Sequence, residues 1–272
     1  MRPKRWWFLV WLGVWASFAG LGAGGCGKHD ASGHSLTIAG STSVQPFAEK
    51  LAEVYMHEHP EIQINVQGGG SSAGILAVQQ GAADIGASSR ELVPAEKVLC
   101  ETTIAWDGIA IIVHPDCPVE DLTLTDLQRI FRGRITDWAE LGFKAHGMHV
   151  ITREEGSGTR TAFEDLVMAK KEITPAALVQ DSNGAVREIV ATDPHAIGYI
   201  SCGLVNRQVK ALAIDGVKPT AIQIKNNNYR LTRRFLFITR EVPEGQVKPF
   251  FAFTLSRKGQ LLLETEGLVG AN

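Results

Sequence analysis

Arg153-Glu154-Glu155-Gly156-Ser157-Gly158-Thr159 sets a guanidinium four residues before a glycine-lined Ser/Thr turn. From Thr161 to Lys170 the apolar residues Phe163, Leu166 and Val167 follow with helical spacing. Ser157 to Thr159 are therefore expected at a helix N-terminus, where free backbone N–H groups and the helix dipole favour a negative ligand. Arg153 adds a permanent charge whose fork geometry suits a tetrahedral oxyanion. The same residues would also serve an ordinary N-cap, with Ser157 or Thr159 capping and Arg153 paired to Glu154 or Glu155.

Three stretches nearer the N-terminus weigh between these readings. Leu36 to Ala39 reads as a strand running into Gly40-Ser41-Thr42-Ser43-Val44, after which Pro46 leads into a helix with Phe47, Leu51, Val54 and Tyr55 on one face. Ile62 to Val66 alternates as a strand, and Gly68-Gly69-Gly70-Ser71-Ser72-Ala73-Gly74 separates it from a helix at Ile75 to Val78. Ala83 to Ala87 reads as a buried strand ending in Ser88-Ser89-Arg90, with Pro94 expected to open another helix. Each turn alone is explained by one capping hydroxyl. Thr42-Ser43, Ser71-Ser72 and Ser88-Ser89 are pairs, however, and supply more donors than capping needs. In an open α/β sheet the strand ends are where ligands sit.

The chain of 272 residues is long enough to bury one large core or two smaller ones. Arg2, Lys4 and Arg5 precede an apolar run from Trp6 to Gly25, the pattern of a secretory signal. A membrane anchor would need a similar run of ~20 residues, and the small residues crowding the end of this one favour processing. Ala23-Gly24-Gly25-Cys26 resembles the bacterial lipoprotein cleavage box, with Ala23 where leucine is usual, so lipidation of Cys26 and a tether over 27–35 are expected. Removal of residues 1–26 takes away three basic residues and no acidic one, leaving 24 Lys+Arg against 29 Asp+Glu, a formal charge of −5. That balance argues against nucleic acid, and an anionic ligand would have to be held by local donors. Cys100 and Cys117 are candidates to pair, although the sequence fixes no connectivity, and no His/Cys spacing supports a metal site.

With these motifs in order, the sequence resembles the phosphate-binding proteins that serve ABC phosphate importers, within the class of two-lobed periplasmic binding proteins. The resemblance rests on G-S-T-S-V at 40–44, G-G-G-S-S at 68–72, A-D-I-G-A-S-S at 83–89, R-E-E-G-S-G-T at 153–159 and A-I-G-Y at 196–199, and it covers nearly all of the mature chain. It implies an α/β fold of type II: two mixed sheets flanked by helices and joined by two hinge crossings, with lobe I over 36–112 and 231–272 and lobe II over 113–230. It also implies that Thr42, Ser43, Ser71, Ser89, Arg153, Ser157, Gly158 and Thr159 contact inorganic phosphate. The protein would be a monomer without enzymatic activity or cofactor, working with a membrane permease at the periplasm or the outer face of the cell membrane. In the best-known members the position of Ser89 is an aspartate that accepts the proton of hydrogen phosphate and repels sulfate. A serine hydroxyl accepts or donates, so sulfate, molybdate and tungstate stay open as alternative ligands.

Along the rest of the chain, Gly108 to Val113 reads as a strong strand, Leu122 to Trp138 as a short helix and turn with Trp138 as packing, and Val150-Ile151 as the strand delivering Arg153. Glu155 is expected to orient Arg153, and Glu154 to be a solvated surface charge. Asp181-Ser182-Asn183-Gly184 reads as a helix cap with a ligand contact as the alternative, Ala196 to Ser201 and Arg234 to Thr239 as strands, Val217 to Arg230 as polar connection, and the Phe250 to Leu255 region as a terminal helix. His114, His146 and His195 are read as incidental. One reading of another class remains. Gly70-Ser71-Ser72-Ala73-Gly74 matches the G-x-S-x-G nucleophile elbow, so a secreted serine hydrolase with Ser72 and His195 is conceivable, although it leaves Arg153 without a role.

Overall fold

The computed structural model describes residues 35–143 and 147–271. The signal segment, Cys26, nearly all of the tether and His146 lie outside the described residues. Strand β1 (Ser35–Gly40) leads into helix α1 (Gln45–Glu58), whose Pro46 lies in the first turn, where a missing N–H removes no helical bond. β2 (Gln63–Gln67) leads into α2 (Ser71–Gln80), and β3 (Ile85–Ser88) runs into Ser89. β1 pairs in parallel with both β2 and β3, so the hydroxyl pairs that follow these strands share one edge.

Pro94 opens a single 3-10 turn, Pro94–Glu96, and not the expected longer helix. The chain then enters β4 (Cys100–Val113), which starts well before the apolar run that announces it. Glu101, Thr102, Thr103 and Trp106 keep part of their surface in solvent, so the first half of this strand lacks a continuous apolar signature. β5 (Asp121–Leu122), α3 (Leu124–Phe131), β6 (His149–Arg153), α4 (Gly158–Phe163), β7 (Leu178–Gln180), α5 (Asn183–Thr192) and β8 (Ala196–Ser201) follow. β6 pairs in parallel with β7 and β8. The helix expected from Thr161 begins at Gly158 and widens into a π turn over Glu164–Met168. β9 (Lys210–Ala211), β10 (Ala213–Ile214) and α6 (Ala221–Lys225) follow, so the stretch read as polar connection holds a short helix. β11 (Thr232–Thr239) then precedes α7 (Val247–Leu255), α8 (Arg257–Thr265) and β12 (Val269–Gly270).

The main sheet runs in the order β2-β1-β3-β11-β4-β8-β6-β7. β4 joins its two parts, because Cys100 to Gly108 pairs antiparallel with β11 and Ile109 to Val113 pairs antiparallel with β8. The apolar core changes over at the same place. One cluster gathers Ile38, Phe47, Leu51, Tyr55, Ile104, Phe235 and Phe250, and another gathers Ile109, Ile111, Phe131, Trp138, Phe163 and Tyr199. Trp138 is packing, as expected. Cys100, Cys117 and Cys202 are free. Cys100 opens β4 and Cys117 follows its end, and a strand of that length holds its termini roughly 45 Å apart, far beyond disulfide reach. Among the described residues no helix is long and apolar enough to cross a membrane.

α2 lies against β1 through Gly74, where an added Cβ would stand 2.3 Å from the Ala39 carbonyl oxygen. Glycine to alanine inside a helix ordinarily stabilises by about 1 kcal/mol. Here the sign is expected to reverse: Gly74→Ala should lower unfolding free energy in urea by about 1–3 kcal/mol, because a backbone carbonyl cannot rotate aside as a side chain would.

Candidate anion-binding cleft

The turn after β1 brings Ser41 and Ser43 into the interior, and the Ser43 N–H donates to Ser41 Oγ at 3.2 Å. The turn after β3 brings Ser88 and Ser89 inside, with Ser88 Oγ donating to the Arg90 carbonyl at 2.9 Å. Ser71, first residue of α2, accepts from the Ser89 N–H at 3.1 Å. From the other part of the sheet, β6 ends at Arg153 and Ser157 caps α4 by accepting from the Arg160 N–H at 3.3 Å. The cap reading and the interior reading of Ser157 therefore hold together, since the residue is also buried.

These elements close on one another. Ser43 Oγ and Thr159 Oγ1 lie 2.6 Å apart, Arg153 Nη2 donates to Thr42 Oγ1 at 3.1 Å, and the Ser72 N–H donates to the Gly156 carbonyl at 3.1 Å. Ser41 Oγ donates to Ser89 Oγ at 2.9 Å, and Ser89 Oγ and Ser71 Oγ are 3.4 Å apart. Gly158 backs onto the same spot, for a Cβ there would stand 2.1 Å from Ser71 Oγ and 2.7 Å from Ser89 Oγ. Seven of the eight positions singled out from the sequence thus meet in one contiguous set of contacts, and Ser157 joins it through Arg160, whose Nη1 donates to the Arg153 carbonyl at 3.1 Å.

Arg153 is the centre of the set and only 1% exposed. Its Nε donates to Glu154 Oε2 at 2.9 Å and the Gln180 carbonyl at 3.1 Å, while Nη2 donates to Thr42, to Glu154 Oε1 at 2.9 Å and to the Asp181 carbonyl at 3.0 Å. Glu154 therefore orients the guanidinium in a bidentate pair, whereas Glu155 is exposed, reversing the roles expected for these neighbours. Immediate succession in sequence gave no sign of which carboxylate folds back. Arg153 Nη1 is buried with no hydrogen-bond partner among the described residues. An orphaned N–H pair on a desolvated cation is costly unless something anionic or carbonyl-like meets it. The backbone at this point is held by Tyr199, whose hydroxyl accepts from the Arg153 N–H at 3.3 Å and lies 2.7 Å from Thr152 Oγ1. Burial pushes the Tyr199 phenol up to about 12, so it stays neutral. Phe163 stacks on its ring at 4.2 Å.

Four neighbouring residues were not among those eight positions. Ser41, quoted within its motif but given no role, bonds Ser89. Asn183, read as part of a cap with a ligand contact as the alternative, is buried and donates through Nδ2 to Ser43 Oγ at 2.9 Å and Thr42 Oγ1 at 3.3 Å. Asp107 and Arg233 form a buried ion pair behind the hydroxyls: Arg233 Nε and Nη2 donate to Asp107 Oδ2 at 3.0 and 2.9 Å, and Nη2 reaches Ser43 Oγ at 3.3 Å. Asp107 Oδ1 accepts from Ser201 Oγ at 2.9 Å and the Cys202 N–H at 3.2 Å. Burial pushes the Asp107 carboxyl up and the Arg233 guanidinium down, and the attraction of each for the other opposes both shifts. In sequence Asp107 and Arg233 each stand immediately before a strand read from its apolar run, at Gly108 and Arg234, and that was the available signal for this pair.

The hydrolase reading fails on geometry. Ser72 Oγ accepts from Arg90 Nη2 at 3.1 Å, so its environment is that of a hydroxyl held by a cation and not by a base. His195 precedes β8 at the end that pairs with His149, about 13 Å along β6 from the end that delivers Arg153. Its neighbours are His149 and Asp193, themselves 2.6 Å apart. Among the described residues no His, Cys, Asp and Glu cluster suits a metal ion.

A family model described as the PBP superfamily domain matches residues 27–258. The phosphate-binding protein PstS of Bacillus subtilis is 36% identical over 88% of this chain and 81% of its own length. A crystal structure from Clostridium perfringens, described as a phosphate ABC transporter substrate-binding protein with bound phosphate, superposes with TM-score 0.85 at 39% identity, covering 88% of this chain and 100% of that one. An ABC-type phosphate transport receptor from Vibrio cholerae superposes with TM-score 0.73 at 39% identity, covering 86% and 99%. Fold and relatives together define a solute-binding protein and not an enzyme. The chain belongs to the PBP superfamily and, within it, to the phosphate-binding proteins of ABC phosphate transporters.

Removing one partner of the buried pair tests the scaffold behind the cleft. Asp107→Asn leaves the Arg233 charge uncompensated and should lower stability in urea by about 3–5 kcal/mol, whereas an effect within a few tenths of wild type would place the pair in solvent.

Proposed function

We propose that this protein captures inorganic phosphate outside the cytoplasm and delivers it to the membrane permease of an ABC importer. The observation that carries the reading is the buried Arg153 guanidinium, with its unpartnered Nη1, in a hydrogen-bonded set that also holds Thr42, Ser43, Ser71, Ser89 and Thr159. Arg153 is neutralised by Glu154 and Arg233 by Asp107, so an incoming dianion would be held chiefly by oriented N–H and O–H dipoles. In a water-excluded site such dipoles replace hydration without a metal. The proposed contacts are Thr42, Ser43, Ser71, Ser89, Arg153, Ser157, Gly158 and Thr159.

We take lobe I as 36–112 with 231–272 and lobe II as 113–230, with the hinge in the stretch of β4 where the apolar core changes over. The hydrogen bonds that join Thr42 with Arg153, Ser43 with Thr159 and Ser72 with Gly156 then run between lobes. The ion would favour the closed form through them, and a permease distinguishes closed from open by shape. Anchoring through lipid on Cys26 and a monomeric state complete the proposal. Sulfate, molybdate and tungstate are less well supported, since the relatives described above bear phosphate in their names.

Calorimetric titration of the mature domain with phosphate should give saturable heat, and no heat at micromolar protein would remove the reading. Arg153→Ala should cost on the order of 2–5 kcal/mol of binding free energy, while a loss of a few tenths would place this guanidinium outside the contact. Competition by sulfate, molybdate and tungstate in the same titration tests the choice of ion.

A further inference from the structure

We propose that Asn183 is a positioning residue that sets the hydrogen-bond polarity of the cleft, forcing Thr42 and Ser43 to act as donors and so selecting an anion that brings acceptors. The inference deepens the phosphate reading and rests on it. A hydroxyl has one hydrogen to give and two lone pairs to fill. Ser43 Oγ accepts from Asn183 Nδ2 at 2.9 Å and from Arg233 Nη2 at 3.3 Å, and Thr42 Oγ1 accepts from Asn183 Nδ2 at 3.3 Å and from Arg153 Nη2 at 3.1 Å. In both residues the acceptor capacity is used by buried side-chain N–H groups. What remains is the hydroxyl hydrogen, which must point at an acceptor. For Ser43 that acceptor is Thr159 Oγ1 at 2.6 Å, which in turn leaves the Thr159 hydrogen to be given onward.

The amide orientation of Asn183 is fixed independently of this argument. Ser201 N–H donates to Asn183 Oδ1 at 3.1 Å, and a backbone N–H requires an oxygen there, so the NH2 group faces the two hydroxyls. Its two hydrogens serve two acceptors. Ser201 Oγ also donates to Asp107, which ties the carboxamide to the same framework that holds Arg233. Three buried groups, two guanidinium ions and one carboxamide, therefore impose one direction on the hydroxyls where the lobes meet, with Arg153 and Asn183 reaching across from lobe II. Pre-orientation of donors toward developing or incoming negative charge is the general means by which a dry site outcompetes water.

Asn183→Asp tests this, because it keeps shape while exchanging the NH2 group for an oxygen. Thr42 would then donate to the carboxylate and turn away from the ion, and Ser43 would turn its hydrogen from Thr159 to the carboxylate, leaving the Thr159 hydrogen no longer aimed. Phosphate affinity, measured by calorimetry and expressed as a ratio to wild type at each pH so that the ligand's own ionisation cancels, should fall at least about a hundredfold near pH 8. It should recover to within about tenfold near pH 5, since burial raises a carboxyl toward that range, the Arg153 and Arg233 guanidinium groups nearby oppose the rise only in part because Glu154 and Asp107 already pair with them, and the neutral acid donates again. Asn183→Ala provides the second variant should the aspartate fail to fold: it should bind about tenfold more weakly, with a ratio to wild type that does not change with pH. A purely structural role for Asn183 would give no recovery on acidification. Binding of either folded variant within about threefold of wild type, or an Asn183→Asp deficit unchanged with pH, overturns the proposal. Absence of binding by wild-type protein would overturn the phosphate reading itself, and this inference with it.

Discussion

The structure depends on keeping a guanidinium out of water. Arg153 carries five N–H groups, and a charge so deeply placed is tolerated only when its hydrogen bonds are met. Glu154, Thr42 and the carbonyls of Gln180 and Asp181 meet those on Nε and Nη2. The side chain is thus clamped on one edge of its fork, and Nη1 is left without a partner among the described residues. The clamp draws on several places at once: the end of β6, the turn after β1 and the segment before α5. A cation that needs all of them holds them in register.

A second buried cation does comparable work behind the first. Arg233 opens the inward face of β11 and Asp107 lies on β4 just where that strand changes from β11 to β8. Their pair touches Ser43 on one side and Ser201 on the other, so the crossing between the two apolar clusters coincides with a polar, charge-balanced centre. Replacing such a pair by apolar residues is often neutral for stability. Its value here lies in direction, because it orients hydroxyl groups that an apolar core would leave free to rotate.

Much of this was legible in the chain. The strand, glycine turn and hydroxyl pair recurring after β1, β2 and β3 announced both the sheet edge and its donors, because local turn chemistry and hydrophobic period agree there. Arg153 was recognisable from its spacing to Ser157. The choice of Glu154 over Glu155 was not, since it depends on how the turn at Gly156 redirects two adjacent side chains. Asn183 looked like a cap because its neighbours are one: Ser182 does cap α5, by accepting from the Ala185 N–H at 3.1 Å. Its second task arises only from a contact 140 residues away in sequence. The early start of β4 and the Asp107–Arg233 pair were hidden for the same reason, being set by pairing with a strand from the far end of the chain.

The central claim is that the free edge of Arg153 and the hydroxyls around it form one anion site. A crystal structure of the mature protein with phosphate tests it most directly. The account requires phosphate oxygens within hydrogen-bond distance of Arg153 Nη1 and of the hydroxyls of Thr42, Ser43, Ser71 and Thr159. Phosphate bound elsewhere, with Arg153 Nη1 satisfied by a protein carbonyl, would contradict it.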